Sequence, residues 1–275
     1  MKNWIRMGMV FMALTGALVL SAQTAPQAET PAPAVAQPTP QAATAAAAVA
    51  QPTATADDII AKHIDAVGGK AVIGQIKSVS METSMQVMGN DAPGTITILY
   101  GVGFKQQTDF NGTAIIQCYN AKGGWQVNPM AGASDPTPMS DDEYKDGKEG
   151  MYAGGGLYDY AALGNKVELV SSGDDGYKLK LTTKDGVEST FTIDPKTYLV
   201  KSATRKGQMQ GQDVDITVNY SDYRKTDIGY LMPYQMDMDF GGQFQLGITV
   251  KKIELNQTID PAIFEMPKPA TQPAA

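Results

Sequence analysis

Few side chains in this 275-residue sequence could carry out chemistry on a substrate. It contains one histidine, His63, and one cysteine, Cys118. One imidazole cannot build a histidine-rich metal site, and one thiol can neither form an internal disulfide nor complete a cysteine-ligated zinc site. His63 lies beside an apolar stripe, and Cys118 alternates with Ile116 along a predicted strand. We therefore expect a packing histidine and an inert, inward-facing buried thiol.

The carboxylates show no catalytic arrangement either. Asp237 and Asp239 are two residues apart, which places both on one face of a strand, here predicted to face water. Paired acids there usually protect a strand edge, whereas a glycosidase needs two acids across a cleft. The acidic run at 141–143 suits the first turn of a helix, and the triple glycine at 154–156 lacks the Lys-Ser/Thr pair of a phosphate loop. We expect a protein that is not an enzyme, with no metal site and no cofactor.

The charge balance argues against a nucleic-acid-binding protein. Lys and Arg total 22 against 29 Asp and Glu, which gives a formal net charge of −7. A nucleic-acid surface needs clustered basic side chains to displace counterions. We therefore expect no nucleic-acid partner.

The first residues have the pattern of an export signal. Lys2 and Arg6 precede an apolar run at 7–20 that is too short to span a bilayer, and small residues follow it. We predict a signal peptide at 1–22, with an uncleaved anchor as the alternative. No cysteine follows the apolar run, so we expect no bacterial lipoprotein attachment. In a diderm bacterium the destination would be the periplasm.

The composition then divides the rest of the chain. Residues 23–56 are mostly Ala, Pro, Thr and Gln with a single charge, and such a segment cannot recover its ordering entropy by burial. We predict a disordered linker at 23–56, a folded domain at 57–267 and a flexible tail at 268–275.

Most of the predicted domain alternates apolar and polar residues with a period of two, which is typical of strands that bury one face. The clearest runs are 79–87, 96–104, 177–181, 214–220, 234–240 and 244–250. Turn-forming pairs such as Asn111-Gly112 and Asp185-Gly186 separate the strands, and such short links join antiparallel neighbours. The pattern predicts a mainly β domain built on one large antiparallel sheet of about eleven strands.

Few residues favour helix. Helices are predicted at 57–67, 70–76 and 141–151, the last from the capping-box pattern of Ser140 and Glu143. These helices could not cover so large a sheet if it lay flat, and a wide exposed apolar face would aggregate. We therefore predict that the sheet curls around its apolar side into an incomplete barrel, with a short helical lid over the opening.

A curled apolar sheet under a partial lid is a site for a hydrophobic ligand. Methionine at inward positions favours such a role because its side chain is flexible and adapts to varied ligands, although methionine also fills ordinary cores. We predict that an acyl chain would contact inward residues of several strands, with Trp125 near the mouth. The predicted cavity residues are Met81, Met85, Ile96, Ile98, Tyr100, Ile116, Met236, Met238 and Leu246, together with Trp125.

Several stretches resemble the LolA/LolB-like periplasmic lipoprotein carriers, often named outer-membrane lipoprotein-sorting proteins. They are ADDIIAKHIDAVGGKAVIGQIKSV (56–79), GFKQQTDFNGTAIIQCYNAKGGWQVNP (103–129), YKLKLTTKDGVESTFTIDPKTYLVKSATRK (177–206), VNYSDYRKTDIGYLMPYQMDM (218–238) and VKKIELNQTIDPAIFEMP (250–267). The resemblance implies an incomplete antiparallel barrel with a helical lid over an apolar cavity.

One departure from that family concerns the lid. The resemblance implies an arginine near the strand before the tryptophan strand, where it latches the lid, but the stretch 100–105 contains only Lys105. A lysine is a weaker substitute because its point charge does not provide a fork of hydrogen bonds. The arginines of the predicted domain are Arg205 and Arg224, both in later strands.

The function implied by the resemblance is that of a carrier. We expect a periplasmic binding or carrier protein for lipid-modified proteins or other acyl-chain amphiphiles. Its expected partners are lipoprotein acyl chains or lipids, and components of lipoprotein transport in the inner and outer membranes. The alternative is a non-catalytic envelope sensor or interaction domain of the same fold.

Overall fold

The computed structural model describes residues 54–87, 90–209 and 212–268. The predicted signal peptide at 1–22, nearly all of the predicted linker and all but the first residue of the predicted tail lie outside these residues. Among the described residues, no helix has both the length and the apolar character needed to cross a membrane.

The helices are short, and local side chains fix where they begin. Helix α1 spans Ala56–Ala66, and its first turn is held by a reciprocal pair of hydrogen bonds between Thr55 and Asp58. Helix α2 spans Lys70–Ile73. Helix α3 spans Asp141–Gly147 and begins at the predicted capping box, in which Ser140 and Glu143 exchange hydrogen bonds. The predicted helix at 141–151 is therefore α-helical only to Gly147, and 3₁₀ turns continue it at Lys148–Met151 and Ala153–Gly156.

The described residues form one sheet of thirteen antiparallel strands, which confirms the large antiparallel sheet and exceeds the predicted count of about eleven. The strands are β1 (Ser78–Val87), β2 (Asn90–Leu99), β3 (Gly103–Phe110), β4 (Thr113–Asn120), β5 (Gly123–Asn128), β6 (Ala133–Pro138), β7 (Lys166–Gly173), β8 (Gly176–Thr182), β9 (Glu188–Ile193), β10 (Val200–Met209), β11 (Gln212–Lys225), β12 (Leu231–Phe240) and β13 (Gln245–Leu255). Strand β6 was not predicted, because its two prolines are atypical of a strand. Those prolines are tolerated because β6 is an edge strand.

The order of the strands explains how the sheet stays open. It runs β6-β5-β4-β3-β2-β1-β13-β12-β11-β10-β9-β8-β7, so the first and last strands pair in the middle while β6 and β7 form the two free edges. Residues 139–165 connect these edges; we call this segment the lid. Because it joins opposite edges of a curled sheet, the lid crosses the open side of the incomplete barrel.

Strand register defines the concave face of the sheet. Val79, Ile98, Phe104 and Tyr119 form one row across β1–β4. Helix α1 packs its isoleucines against the same face of β8 and β9, in a cluster with Leu179 and the lid residue Leu157. At the other end of the strands, buried residues of the sheet pack together on the concave side. They are Met85, Ala92, Val214, Ile216, Met238, Phe240, Leu246 and Ile248.

The convex face has a cover of its own. After β13 the chain turns back as residues 256–268, which we call the C-terminal strap. Its 3₁₀ turn at Pro261–Phe264 packs Phe264 against the outer face of β3–β5, with Cys118, Trp125 and Val127. This contact is close because Gly103 has no side chain: a Cβ there would lie 2.3 Å from the Phe264 ring.

Candidate functional site: an apolar cavity under the lid

A cavity of about 330 Å³ lies between the concave face and the lid. Strands from both halves of the sheet contribute to it, which is possible only because the sheet is curled. Its apolar lining consists of Met81, Ile96, Phe104, Ala203, Ile216, Val218, Met232, Pro233, Met236, Met238 and Ile248. Its volume falls near the lower limit of the roughly 300–1,000 Å³ typical of small-molecule sites.

Four of the ten predicted residues line this cavity: Met81, Ile96, Met236 and Met238. Met81 pairs with Ile96 across β1 and β2, and the other two lie on one face of β12. The period-two alternation located them because each lies on the concave side of a strand near the centre of the sheet.

Four further predicted residues share the concave face but lie outside the cavity. Met85 and Leu246 belong to the closed cluster at one end of the strands. Ile98 and Tyr100 pack at the opposite end against Val79 and Tyr230, in the cluster below α1 and α2. These residues close the two ends of the concave side.

The placement of Ile116 and Trp125 in the cavity is wrong. In β4, Tyr119 shares the concave row, so Ile116 and Cys118 point to the convex side, and Trp125 pairs with Cys118. Trp125 is 3% exposed and donates its Nε1–H to the Phe264 carbonyl oxygen at 3.0 Å. Both faces of β4 are apolar because the strap covers the outer one.

The two residues with the most reactive side chains have structural roles. Cys118 is fully buried as predicted, but on the convex side, where burial raises the pKa of its thiol to about 12. His63 is buried under the concave face, and its Nδ1–H donates to the carbonyl oxygen of Tyr198 at 2.7 Å. Burial lowers the pKa of His63, which favours the neutral ring. The described residues contain no group of three or more His, Cys, Asp or Glu side chains arranged to hold a metal ion.

The two acids on β12 lie on the outer face, as the alternation predicts. Asp237 is exposed and accepts a hydrogen bond from Gln235 at 2.7 Å. Asp239 accepts bonds from the Gln245 side chain and the Gly242 backbone, which lower its pKa. Both acids line a polar depression of about 420 Å³ on this face, together with Asn219, Gln235 and Gln245.

The lid is fixed to one half of the sheet by close contacts. Gly147 lies directly on Tyr119: a Cβ at position 147 would meet the ring at 2.2 Å. Tyr144 donates its hydroxyl to the carbonyl oxygen of Asn120 at 2.8 Å, and Gly101 donates its N–H to the carbonyl oxygen of Met151 at 2.9 Å.

Arg205 reaches the lid from the other half of the sheet. It lies on the concave face of β10, and its Nη1 is 3.5 Å from Oδ2 of Asp146 in α3. Lys105, considered above as a substitute for the lid arginine, points to the convex side, where its Nζ is 5.7 Å from the centre of the Trp125 ring. The arginine that meets this lid is therefore supplied by β10 rather than by the stretch 100–105.

Several buried polar atoms in the cavity wall, and one beside the lid residue Gly147, lack a hydrogen-bond partner among the described residues. Nη1 and Nη2 of Arg205, Oε1 of Gln106 and the hydroxyl of Tyr119 are all buried without a hydrogen bond to any described residue. A buried polar group left unpaired costs about 1–3 kcal/mol, and more when it is charged. Burial also raises the pKa of Asp146, an effect that the positive charge of Arg205 opposes.

Sequence reasoning missed these polar residues because it relied on alternating apolar side chains. That alternation does include two further cavity residues, Val218 and Tyr220, in the run at 214–220. Gln106 and Arg205 occupy the same kind of inward position, but an apolar periodicity does not select polar side chains. Only the register of β3 and β10 identifies them.

Comparison with known proteins assigns the fold. No family model matches the sequence, and no curated protein matches it significantly. Among solved structures, a LolA superfamily protein from Nitrosomonas europaea aligns with a TM-score of 0.51 at 13% identity, covering 77% of this chain and 97% of that one. A putative outer membrane lipoprotein-sorting protein domain from Vibrio parahaemolyticus aligns with a TM-score of 0.46 at 14% identity, covering 75% and 94%.

The chain therefore has a LolA-like fold. The resemblance drawn from the sequence motifs is confirmed at this level, as is the incomplete barrel with its short helical cover.

Proposed function

We propose that this protein binds and carries an acyl chain, either of a lipid-modified protein or of another amphiphile, and that it does so without catalysis. The observation that carries the proposal is the 330 Å³ apolar cavity between the concave sheet and the lid. Apolar side chains that line a hollow of this kind are costly to leave against water, and a bound hydrocarbon chain would cover them.

The lining of the cavity suits hydrocarbon of variable shape. Met81, Met232, Met236 and Met238 all contribute, and methionine adapts its conformation to a ligand more readily than branched side chains do. Each CH₂ group that moves from water into the cavity would stabilise the complex by roughly 0.8 kcal/mol. A chain of several such groups is therefore sufficient for useful affinity.

The proposal extends to location and partners. The sequence pattern at 1–22 supports export to the periplasm, and the composition of 23–56 and 268–275 supports a flexible linker and tail around the domain at 57–267. A carrier there would receive its ligand from an inner-membrane component and deliver it to an outer-membrane component. Fractionation of cells that express the full chain tests the location. The protein should appear among the periplasmic proteins.

A titration with a fluorescent fatty acyl probe tests binding. We expect saturable binding by the full chain, and competition by a lipopeptide. The variant Met236→Trp places a large ring in the cavity and should abolish binding. Val170→Trp introduces the same side chain at an exposed position on the edge strand β7 and should leave binding unchanged.

A flat titration of the correctly folded protein would contradict the proposal. Recovery from cells of one membrane regulator, with no bound lipid in the extract, would instead favour the sensor role of the same fold. Native mass spectrometry of the protein purified from its own cells distinguishes these two results directly.

A further inference from the structure

The cavity is not uniformly apolar. Gln106 and Arg205 line it from opposite halves of the sheet, and Asp146 and Gly147 of the lid also line it. The hydroxyl of Tyr119 lies against Gly147 from the sheet side. Arg205 and Asp146 are joined by an ion pair at 3.5 Å, while the methionines of β1 and β12 contribute to the apolar lining.

The pairing of Arg205 is incomplete. Its charge is opposed by Asp146, but the nearest atoms are 3.5 Å apart, and neither Nη atom makes a hydrogen bond to a described residue. A guanidinium normally uses its planar fork of N–H donors in paired hydrogen bonds to a carboxylate or phosphate. Because the Asp146 carboxylate stays 3.5 Å away, both Nη groups keep donors that an acceptor brought by a ligand could use.

A second polar side chain of the cavity could also bind an acceptor. The Gln106 amide can present its nitrogen after a half-turn, which exchanges positions that are assigned from hydrogen bonding. Two oxygen atoms on a small planar head would fit this set better than one. A compact head also suits the limited volume, which accommodates a single hydrocarbon chain.

We propose that the cavity selects a single-chain amphiphile that ends in a carboxylate, with its head held by Arg205 beneath the lid and its tail among Met81, Met236 and Met238. The inference rests on the proposed function, because it assigns a head group to the acyl chain. It assigns to Arg205 a role in ligand selection in addition to its contact with the lid.

Four ligands with the same tail test the head group. Dodecanoic acid, methyl dodecanoate, dodecanol and dodecyltrimethylammonium are each titrated against the full chain by calorimetry. We expect the acid to bind at least about tenfold more tightly than the ester and the alcohol, the factor that one charge-assisted hydrogen bond supplies. The quaternary ammonium compound should bind weakest, because its charge repels Arg205.

The outcomes separate the two proposals. If acid, ester and alcohol bind with equal affinity, the carboxylate selection is wrong and the proposed function stands. If none of the four binds, the proposed function itself is contradicted. The wild-type comparison needs no variant, so a folding defect cannot obscure it.

Variants of arginine then locate the effect. Arg205→Met should remove the preference for acid over alcohol, measured as the ratio of the two affinities in the same variant, and Arg205→Lys should restore part of the preference because it keeps the charge and loses the fork. Arg224→Met is the matched control, since Arg224 is exposed, pairs with Asp222 and stacks on Tyr234. An acid preference that survives Arg205→Met, or that disappears in Arg224→Met, would overturn the assignment to Arg205.

Discussion

Two irregular segments cover this sheet, one on each face, and they differ in how much space they leave. The C-terminal strap lies on the convex face of β3–β5 and fills it: the Phe264 ring rests on Gly103, and the Phe264 carbonyl oxygen accepts hydrogen bonds from Asn120 at 2.8 Å and Trp125 at 3.0 Å. The lid lies on the concave face and leaves a cavity of about 330 Å³ with unpaired polar atoms.

The two covers use a similar contact and leave different amounts of space beneath them. Both use a glycine to approach an aromatic ring, Gly103 under Phe264 and Gly147 on Tyr119. The strap satisfies its backbone carbonyl and encloses little free space, so it adds to stability. The lid is held to the sheet at Tyr119 and Asn120 and has a cavity beneath it, which the proposed ligand would occupy without displacing the core.

The largest expected effect is loss of the strap anchor. Phe264 is 1% exposed, so Phe264→Ala should lower the free energy of unfolding by about 3–5 kcal/mol through the lost burial and the cavity left behind. Urea unfolding followed by circular dichroism measures the change. Ile263→Ala, the adjacent exposed position, should alter stability by less than about 0.5 kcal/mol. Equal losses for both variants would contradict a specific anchor.

The next effect tests how closely the strap approaches the sheet. Gly103→Ala places a methyl group 2.3–2.6 Å from the Phe264 ring and should cost about 1–3 kcal/mol of stability by overpacking. Gly124→Ala on β5 is the control, because its methyl group would meet the flexible side chain of Met139. Ligand affinity should be unchanged in Gly103→Ala, and a large loss of affinity in that variant would show that the two faces are coupled.

The same substitution in the lid should have a smaller effect on stability and a larger one on binding. Gly147→Ala places a methyl group 2.2 Å from the buried Tyr119 ring, so the lid must lift, at a cost of about 1 kcal/mol. Acyl-probe affinity should change because lifting the lid reshapes the cavity that Gly147 and Gly150 both line. Gly150→Ala, whose nearest contact is Phe104 at 3.3 Å, should change affinity much less. If the affinity of Gly147→Ala were unaltered, the position of the lid would not affect ligand binding.

The smallest expected effect is a pH dependence of the unfolding free energy that arises from His63. Burial lowers the pKa of His63 below its ordinary value of 6.5, so the folded state resists its protonation. Its contribution to stability is complete above the unfolded pKa and is lost as the pH falls below it. His63→Asn keeps a donor for the Tyr198 carbonyl and removes the titration. The unfolding free energy of this variant should therefore fall less steeply than that of the wild type between about pH 7 and about pH 5; parallel curves would be the contrary result.

The sequence predicted the sheet well because alternation reports directly on strands. It could not report which side of a given strand would become concave when a second cover exists. In β4, Ile116 and Cys118 are as apolar as inward residues of other strands, since the strap buries them from outside. The alternation alone therefore assigned Ile116 to the wrong face.

The polar side of the cavity was beyond prediction for another reason. An arginine in a strand is normally assigned to a wet face, and Arg205 faces inward only because β10 pairs with β11 in the register that aligns it with Ile216. The partner, Asp146, comes from a segment nearly sixty residues earlier. Long-range register of this kind is not contained in local composition.

The pairing of β1 with β13 has a consequence for how the molecule is made. Each of the other strand pairs joins neighbours along the chain, so two meanders can form quickly from local contacts, but the seam between them needs residues such as Val79 and Leu255 to meet. Until the last strand has been synthesised, β1 has an unsatisfied edge in the middle of the future sheet. Pairing of β1 with β13 is therefore the last step of assembly. A chain truncated before β13 would expose an unpaired, aggregation-prone strand edge and would not form a smaller version of the same fold.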